Sequence, residues 1–509
     1  MKRRTLLATS PALCAWIAGV PAYLPHARAT DEPRFALGVA SGEPTPNGLV
    51  LWTRLMGPGL PSDEPVPVQW EVAEDEAFTR IAARGTELAD AAWAHSVHAE
   101  PSGLQAGRSY WYRFTALGQR SPIGRTRTAP APDAGAKLRL IIASCQRFDM
   151  GYYSAWRHAA AWQPDLILFL GDYIYETATP ATGRVRRHAG GYVQSLAQYR
   201  ARYAQYKGDP DLQAAHACAP WMPIWDDHEV DNDYAGLQGQ RLQADFANQR
   251  RSAYQAYWEH MPLPRSAKPR GADAALYASV ALGPLATVHM LDTRQHRSPQ
   301  ACPKSPRKGG TRVYTDECPE WDDPARSMLG DAQERWLDRR LRGSGARWDL
   351  MAQGMVFTLV DEDPGPRVLH WNDSWAGYPA ARRRLVDSVA GSGVRNPLML
   401  GGDIHAFIAA DQRRRAYDGS SPVVMSELVT TSISSGPPPK RVMEAYRGAG
   451  QDVPFADGEH RGYLWLEVTP KRLEARLQGY ASVREEDGPA ERTLFACGLE
   501  DGDRGLKAL

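Results

Sequence analysis

The chain has no surplus of charge: 60 Lys and Arg stand against 59 Asp and Glu, for a formal net charge of +1. That balance removes the usual global argument for a nucleic-acid partner or an anionic membrane, and no stable nucleic-acid complex is expected. Beyond residue 29 no apolar run approaches the ~18 residues that a spanning helix needs, so no transmembrane segment is expected in the mature chain. No serine sits in a recognisable nucleophile motif, which argues against covalent serine chemistry. Internal repeats and low-complexity tracts are also lacking. Cysteine is scarce, six in 509 residues, and its placement says more than its number.

The first 29 residues read as a targeting segment. Lys2, Arg3 and Arg4 give a basic start, Leu6 to Tyr23 a modest apolar stretch, and A-R-A at 27–29 a small-x-small cleavage signal. Arg3 and Arg4, followed by T-L-L, resemble a twin-arginine signal, with a general secretory signal as the alternative. The expectation is a periplasmic or secreted protein that meets the export machinery already folded. Cys14 leaves with this leader. Cys302 and Cys318 lie in a Pro-, Lys- and Arg-rich insertion, 297–325, and a bridge between them closes a loop of about 15 residues, worth roughly 3 kcal/mol in the chain-entropy model. Cys218 and Cys497 are available for a second bridge, which leaves Cys145 odd.

The remainder divides by texture. Residues 34 to about 130 read as an all-β module: F-A-L-G-V at 35–39, G-L-V-L-W-T at 48–53, V-P-V-Q-W-E-V at 66–72 and Y-W-Y-R-F at 110–114 are strand-like and separated by turn residues. The phrase G-L-Q-A-G-R-S-Y-W-Y-R-F at 103–114 resembles the late strands of fibronectin type III sandwiches, and a sandwich of about 100 residues fits. T-A-P-A-P-D-A-G-A at 128–136 is a linker by composition. From 137 to about 490, apolar runs alternate with helical segments, one at 331–342 with Ala332, Trp336, Leu337 and Leu341 as its buried stripe and Asp331 with Glu334 as a capping-box variant, another near 243–258. Such alternation argues for an α/β domain.

The chemistry gathers where the apolar runs stop. Leu166 to Leu170 is bounded by Pro164 and Gly171 and reads as a strand buried on both faces. It ends in G-D-Y-I-Y-E, with Asp172, Tyr175 and Glu176. Four more runs end alike: I-I-A before Ser144-Cys145-Gln146, P-I-W before D-D-H-E at 226–229 with D-N-D at 231–233, H-M-L before D-T-R at 292–294, and L-M-L before G-G-D-I-H at 401–405. Strand ends are where open α/β sheets bind ligands, and five of this composition converging on one sheet edge point to a metal site. Carboxylate and amide oxygens favour hard cations such as calcium, while imidazole suits iron or zinc. A Tyr175 phenolate and a Cys145 thiolate add negative charge that favours a trivalent ion. Asp172 is suited to bridge two ions, and Gly171, Gly401 and Gly402 allow sharp turns beside them.

These motifs, with F-A-L-G-V-A-S-G-E-P at 35–44 and L-W-T-R at 51–54, resemble the alkaline phosphatase D (PhoD-like) family. The resemblance runs from about residue 34 to about 490, and its G-D-x-x-Y element is shared with purple acid phosphatases. It implies a metallophosphoesterase-type domain, a β-sandwich core flanked by helices, preceded by a small immunoglobulin- or fibronectin III-like domain. It also implies one ferric ion with one or two calcium ions, and Cys145, Asp172, Tyr175, Asp403 and His405 as ligands. Asp227 stands where relatives place a ligand Asn, and Asn232 follows five residues later, so the ligand of the third motif stays open between them.

The function expected is hydrolysis of phosphate monoesters, with diesters a further substrate, by a multi-metal centre on small phosphoesters. Arg294 is the candidate for gripping a phosphate oxygen, and His228 for orienting a ligand or protonating the leaving group. Two rivals are a phosphodiesterase or phospholipase D-like enzyme acting mainly on diesters, and an exported binding protein whose metals are structural. The segment past Gly479 is a candidate cover for the site.

Overall fold

The computed structural model describes residues 32–135, 137–304 and 308–509, so the leader expected at 1–29 lies outside the described residues. Two large sheets share one core. In the first, Leu138–Ala143, Leu166–Leu170 and Pro220–Ile224 run parallel. Arg461–Val468, Arg472–Tyr480 and Arg492–Glu500 extend it antiparallel on one side. The second has Ala286–Met290, Trp348–Ala352, Asn396–Gly401 and Val423–Val429 parallel at its centre. Alternation along these strands divides the apolar residues between two layers. Leu350, Ala352, Leu398 and Leu400 face the core shared with the first sheet. Met351 and Met399 face the helices Asp331–Arg342 and Pro379–Ser392 through Leu337, Leu341, Leu385 and Val389. The helices Ser154–Ala161, Leu196–Lys207, Pro210–Cys218 and Phe246–His260 contribute Trp156, Tyr203, Leu212 and Tyr257 to the core of the first sheet.

The five strand ends therefore do not lie on one sheet edge. Those after Ala143, Leu170 and Ile224 belong to the first sheet and those after Met290 and Gly401 to the second. The sandwich brings them together, and a parallel bridge between Ser144 and Ser432 ties the sheets at that point.

The all-β module is less independent than its composition suggests. Val66–Ala73, Ile81–Ala89 and Ser109–Ala116 form its outer sheet. Its inner layer, Val39–Thr45, Gly48–Arg54 and Ser96–Ala99, is the edge of the ten-stranded central sheet, with Ser41 opposite Pro220 and Gly42 opposite Trp221. A Cβ on Gly42 would lie 2.7 Å from the Trp221 carbonyl oxygen, so glycine permits this junction. Val68, Val72, Tyr112 and Phe114 pack on Leu49, Leu51 and Val97 across it. F-A-L-G-V at 35–39 is mostly a turn closed by the Gly38 N–H on the Phe35 carbonyl at 2.9 Å, and the strand begins only at Val39.

Other expectations are amended. The helix Asp331–Arg342 has the expected bounds, but it is capped at Gly330 with no side-chain bond. Glu334 instead meets Arg384 at 2.8 Å, and Ala332 is exposed. Cys302 and Cys318 form the expected disulfide, whereas Cys218 and Cys497 are free thiols. The chain past Gly479 mostly extends the first sheet: Arg492–Glu500 pairs with Arg472–Tyr480 and Lys507–Ala508 forms the edge. Among the described residues, no helix is long and apolar enough to cross a membrane.

Candidate metal centre

Four of the expected ligands share an uncommon backbone. Cys145, Asp172, Asp403 and His405 have φ of 57°, 59°, 63° and 58°. Non-glycine residues rarely adopt the left-handed region, and such strain concentrates at functional sites. The adjacent glycines serve close approach: a Cβ on Gly171 would lie 2.7 Å from the Asp226 nitrogen, and one on Gly402 2.8 Å from the Ser144 hydroxyl. At each of these strand ends the chain turns over immediately after leaving the sheet, and side chains from different strands meet.

What meets is a chain of donor groups. Ligand atoms of Cys145, Asp172 and His405 lie within 4.8 Å of one another, as do those of Asp172, Asp227 and His228, and those of Asp227, Asp233 and Asp373. Asp172 belongs to the first two groups and Asp227 to the last two. Tyr175 closes the first: its hydroxyl donates to Asp172 Oδ2 at 2.8 Å and lies 3.2 Å from His405 Nε2. His405 Nδ1 is 2.7 Å from the Gly436 carbonyl, which can only accept, so the proton sits on Nδ1 and Nε2 keeps its lone pair. Asp403 stands beside these groups and, with His405, lines a cavity of about 310 Å³. Asn232 is half-buried and its backbone N–H donates to Glu176 at 3.2 Å.

The electrostatics of the cluster call for cations. Burial pushes the Asp172 carboxyl well above the usual range, and Asp227 and Asp226 add to it against the pull of His228. Burial and then Asp226 and Asp227 do the same to Asp403. The Cys145 thiol is raised by burial and by Asp172, and the Tyr175 phenol by burial, Asp172 and Cys145. Four acids that suppress one another's ionisation form a site whose charge a bound cation reverses. Asp172 Oδ1 is buried and has no hydrogen-bond partner, as expected of a ligand atom. Thiolate, phenolate, imidazole and shared carboxylates fit a trivalent transition ion, and the Asp-rich remainder fits a hard divalent one.

Several further residues hold this arrangement, Glu176 and Glu229 from within the strand-end motifs and Ser435 from outside them. Glu229 accepts the N–H groups of Asp172 at 3.2 Å, Tyr173 at 2.5 Å and Asp226 at 2.9 Å, pinning two strand ends with one buried carboxylate. Glu176 receives His228 Nδ1 at 2.7 Å, and the imidazole lies against Tyr175 with 4.1 Å between centroids and the ring planes tilted by 33°. Ser435 Oγ lies 2.7 Å from the Tyr175 hydroxyl and 2.8 Å from the Cys145 carbonyl. Asp233, within D-N-D at 231–233, joins the cluster, and Asp373 joins it from outside every strand-end motif.

Arg294 does not take the place expected of it. It is 0 % exposed. Its guanidinium grips Asp226 through Nε at 2.5 Å and Nη2 at 3.1 Å, and Asp373 through Nη1 at 2.8 Å. Committed on both edges, it neutralises the carboxylates beneath the centre and has no edge to offer a phosphate. Sequence alone could not show this, because Asp373 lies 79 residues away.

Residues 140–477 match the PhoD-like phosphatase family, and 21–130 the N-terminal domain of PhoD-like phosphatases. The chain is 41% identical over 493 residues to alkaline phosphatase D of Bacillus subtilis (strain 168), covering 93% of this chain and 82% of that protein. A solved structure of PhoD superposes with a TM-score of 0.88 at 38% identity, covering 94% of this chain and 92% of the other. A purple acid phosphatase from yellow lupin (Lupinus luteus) seeds superposes with a TM-score of 0.56 at 11% identity, over 89% of this chain and 73% of that one. The second likeness shows the fold alone.

Proposed function

The chain belongs to the PhoD-like phosphatase family and is an alkaline phosphatase, and from that premise we propose that its centre holds one ferric ion with one or two calcium ions. The observation that carries this reading is the sharing of Asp172 between the Cys145–His405 group and the Asp227–His228 group. A carboxylate common to two donor sets is suited to neighbouring cations. Cys145, Asp172, Tyr175 and His405 would hold the iron, with Asp403 beside them. Asp227 and Asn232 offer oxygens to calcium, as do Asp233, within D-N-D at 231–233, and Asp373, outside every strand-end motif. Bound there, the ions supply positive charge to phosphoryl oxygens and acidify water enough to serve as nucleophile near neutral pH.

The protein's own groups then have distinct tasks. His405 keeps Nε2 free because Nδ1–H is given to Gly436. Ser435 stands ready to donate to Tyr175 once the phenol has lost its proton. Glu176 fixes the His228 ring and favours its protonated form, with Asp227 and Asp172 assisting against the cost of burial. His228 is thereby placed to orient the carboxylates and to hold a proton for the departing alcohol. Asp403 and His405 open on the cavity, so substrate approaches from their side.

That cavity leaves room for the organic group of a phosphoester, and diesters are a further substrate class on this reading. Membership of the phosphatase family sets aside the non-catalytic binding reading. Export by the twin-arginine route rests on Arg3 and Arg4 in the leader. Chelation followed by metal addition tests the centre: activity on chromogenic mono- and diesters should vanish and return with iron and calcium together. Full recovery with zinc alone would overturn the iron assignment, and the mono-to-diester ratio decides the substrate class.

A further inference from the structure

The cavity beside Asp403 and His405 has an apolar floor of Val356, Val360, Val442 and Tyr446, with Ile404 packed against it. These residues belong to a small apolar cluster that continues into the second sheet through Ile408, Ala410 and Val429. Pro437, Pro438 and Pro439 add a wall that has no backbone donors.

The hydroxyls of the lining have partners within the protein, and its Arg312 is paired with a carboxylate. The Thr358 hydroxyl donates to Glu427 and accepts from Gln412. Ser374 donates to the Trp371 carbonyl at 3.1 Å and accepts the Ala376 N–H at 3.3 Å. Tyr446 donates to the Thr358 carbonyl at 3.4 Å, and Arg312 pairs with Glu362 at 2.6 Å. The wall is also fixed in place. Glu427 is fully buried and receives the N–H groups of Phe357 at 2.7 Å and Thr358 at 2.8 Å, which pins the segment to the strand beside Gly401.

Resting on the phosphoester-hydrolase reading, we infer that this cavity is the subsite for the leaving alcohol and that it selects esters of apolar, ring-bearing alcohols over esters of polyols. A ring entering it removes apolar surface from water on both partners. A polyol entering it surrenders hydroxyl–water hydrogen bonds and meets a mainly apolar surface whose own hydroxyls are already bonded within the protein. The centre discriminates little, since it sees the same phosphoryl group in both esters. The walls supply the difference, and because the leaving group stays in the cavity through the transition state, the preference appears in kcat/KM.

The test uses the full-length, metal-loaded enzyme with phenyl phosphate and glycerol 2-phosphate. The phenyl-to-glycerol ratio of kcat/KM should fall about tenfold in Val442→Asn relative to the wild type, on the scale of one misplaced group in an apolar pocket. Comparing each ester with itself across the two proteins cancels the difference in leaving-group acidity. Should that variant fold poorly, inhibition of the wild type alone decides: phenylphosphonate should bind about tenfold more tightly than methylphosphonate. An unchanged ratio in the variant, or equal inhibition by the two phosphonates, overturns the subsite. A wild type that hydrolyses neither ester, though loaded with metal, overturns the phosphatase premise as well.

Discussion

Two strand ends of this molecule carry nearly the same letters, G-D-Y at 171–173 and G-D-I at 402–404, and they take opposite parts. Asp172 and Asp403 adopt the same left-handed backbone, with φ of 59° and 63°. Asp172 is 1 % exposed, its N–H is held by Glu229 and one oxygen accepts the Tyr175 hydroxyl. Asp403 is half-buried and lies on the cavity. The difference comes from the sandwich. The first sheet lends its strand end to a floor closed by helices, while the second lends its own to the rim. On the proposed reading, similar letters give an anchor for cations on one side and a face toward substrate on the other.

The sharpest way to break this comparison is to neutralise each aspartate in turn. Asp172→Asn should lower kcat/KM by more than the 10–100-fold typical of groups that merely support a metal, and should strip both metals as read by elemental analysis. Asp403→Asn should lose activity while retaining its iron. Identical metal loss in the two variants would erase the distinction.

The next largest effect concerns the floor beneath both ends. Arg294→Met leaves Asp226 buried without its cation, while Asp373 keeps Arg297, and should destabilise the fold by about 3–5 kcal/mol, read by denaturant unfolding. An arginine that gripped phosphate would instead raise KM and leave stability alone. Glu229→Gln should cost roughly 10–100-fold in metal affinity, because a neutral amide cannot accept three N–H groups as a carboxylate does. The same loss should be absent from Glu427→Gln, which supports the cavity wall rather than the anchor. Smallest is Ser435→Ala: removal of one hydrogen bond to Tyr175, worth about 1 kcal/mol, should change activity less than tenfold and shift any tyrosinate-to-metal absorption band slightly.

Much of the anchor was legible in the sequence because it is local. Asp172 and Tyr175 lie three residues apart on one turn, and Asp403 and His405 two apart. Short apolar runs ending in Gly marked each turn. The supports were not legible, because each joins distant segments: Glu229 reaches back 57 residues to Asp172, Ser435 reaches 260 to Tyr175, and Arg294 finds Asp373 79 residues on. A buried arginine and a phosphate-binding one look the same until burial is known. The pairing between the two modules was not legible for a related reason. The proline-rich stretch at 128–136 marks a change of composition, but the strands at 39–54 pair across it with the central sheet.

The central claim is that Asp172 and Tyr175, with Cys145 and His405, hold ferric iron. A visible spectrum of protein purified without added metal, together with its elemental analysis, tests it most directly. The account predicts a coloured protein containing iron and calcium, with a charge-transfer band that Tyr175→Phe or Cys145→Ser shifts or removes. A colourless preparation without iron that is fully active with zinc alone would contradict it.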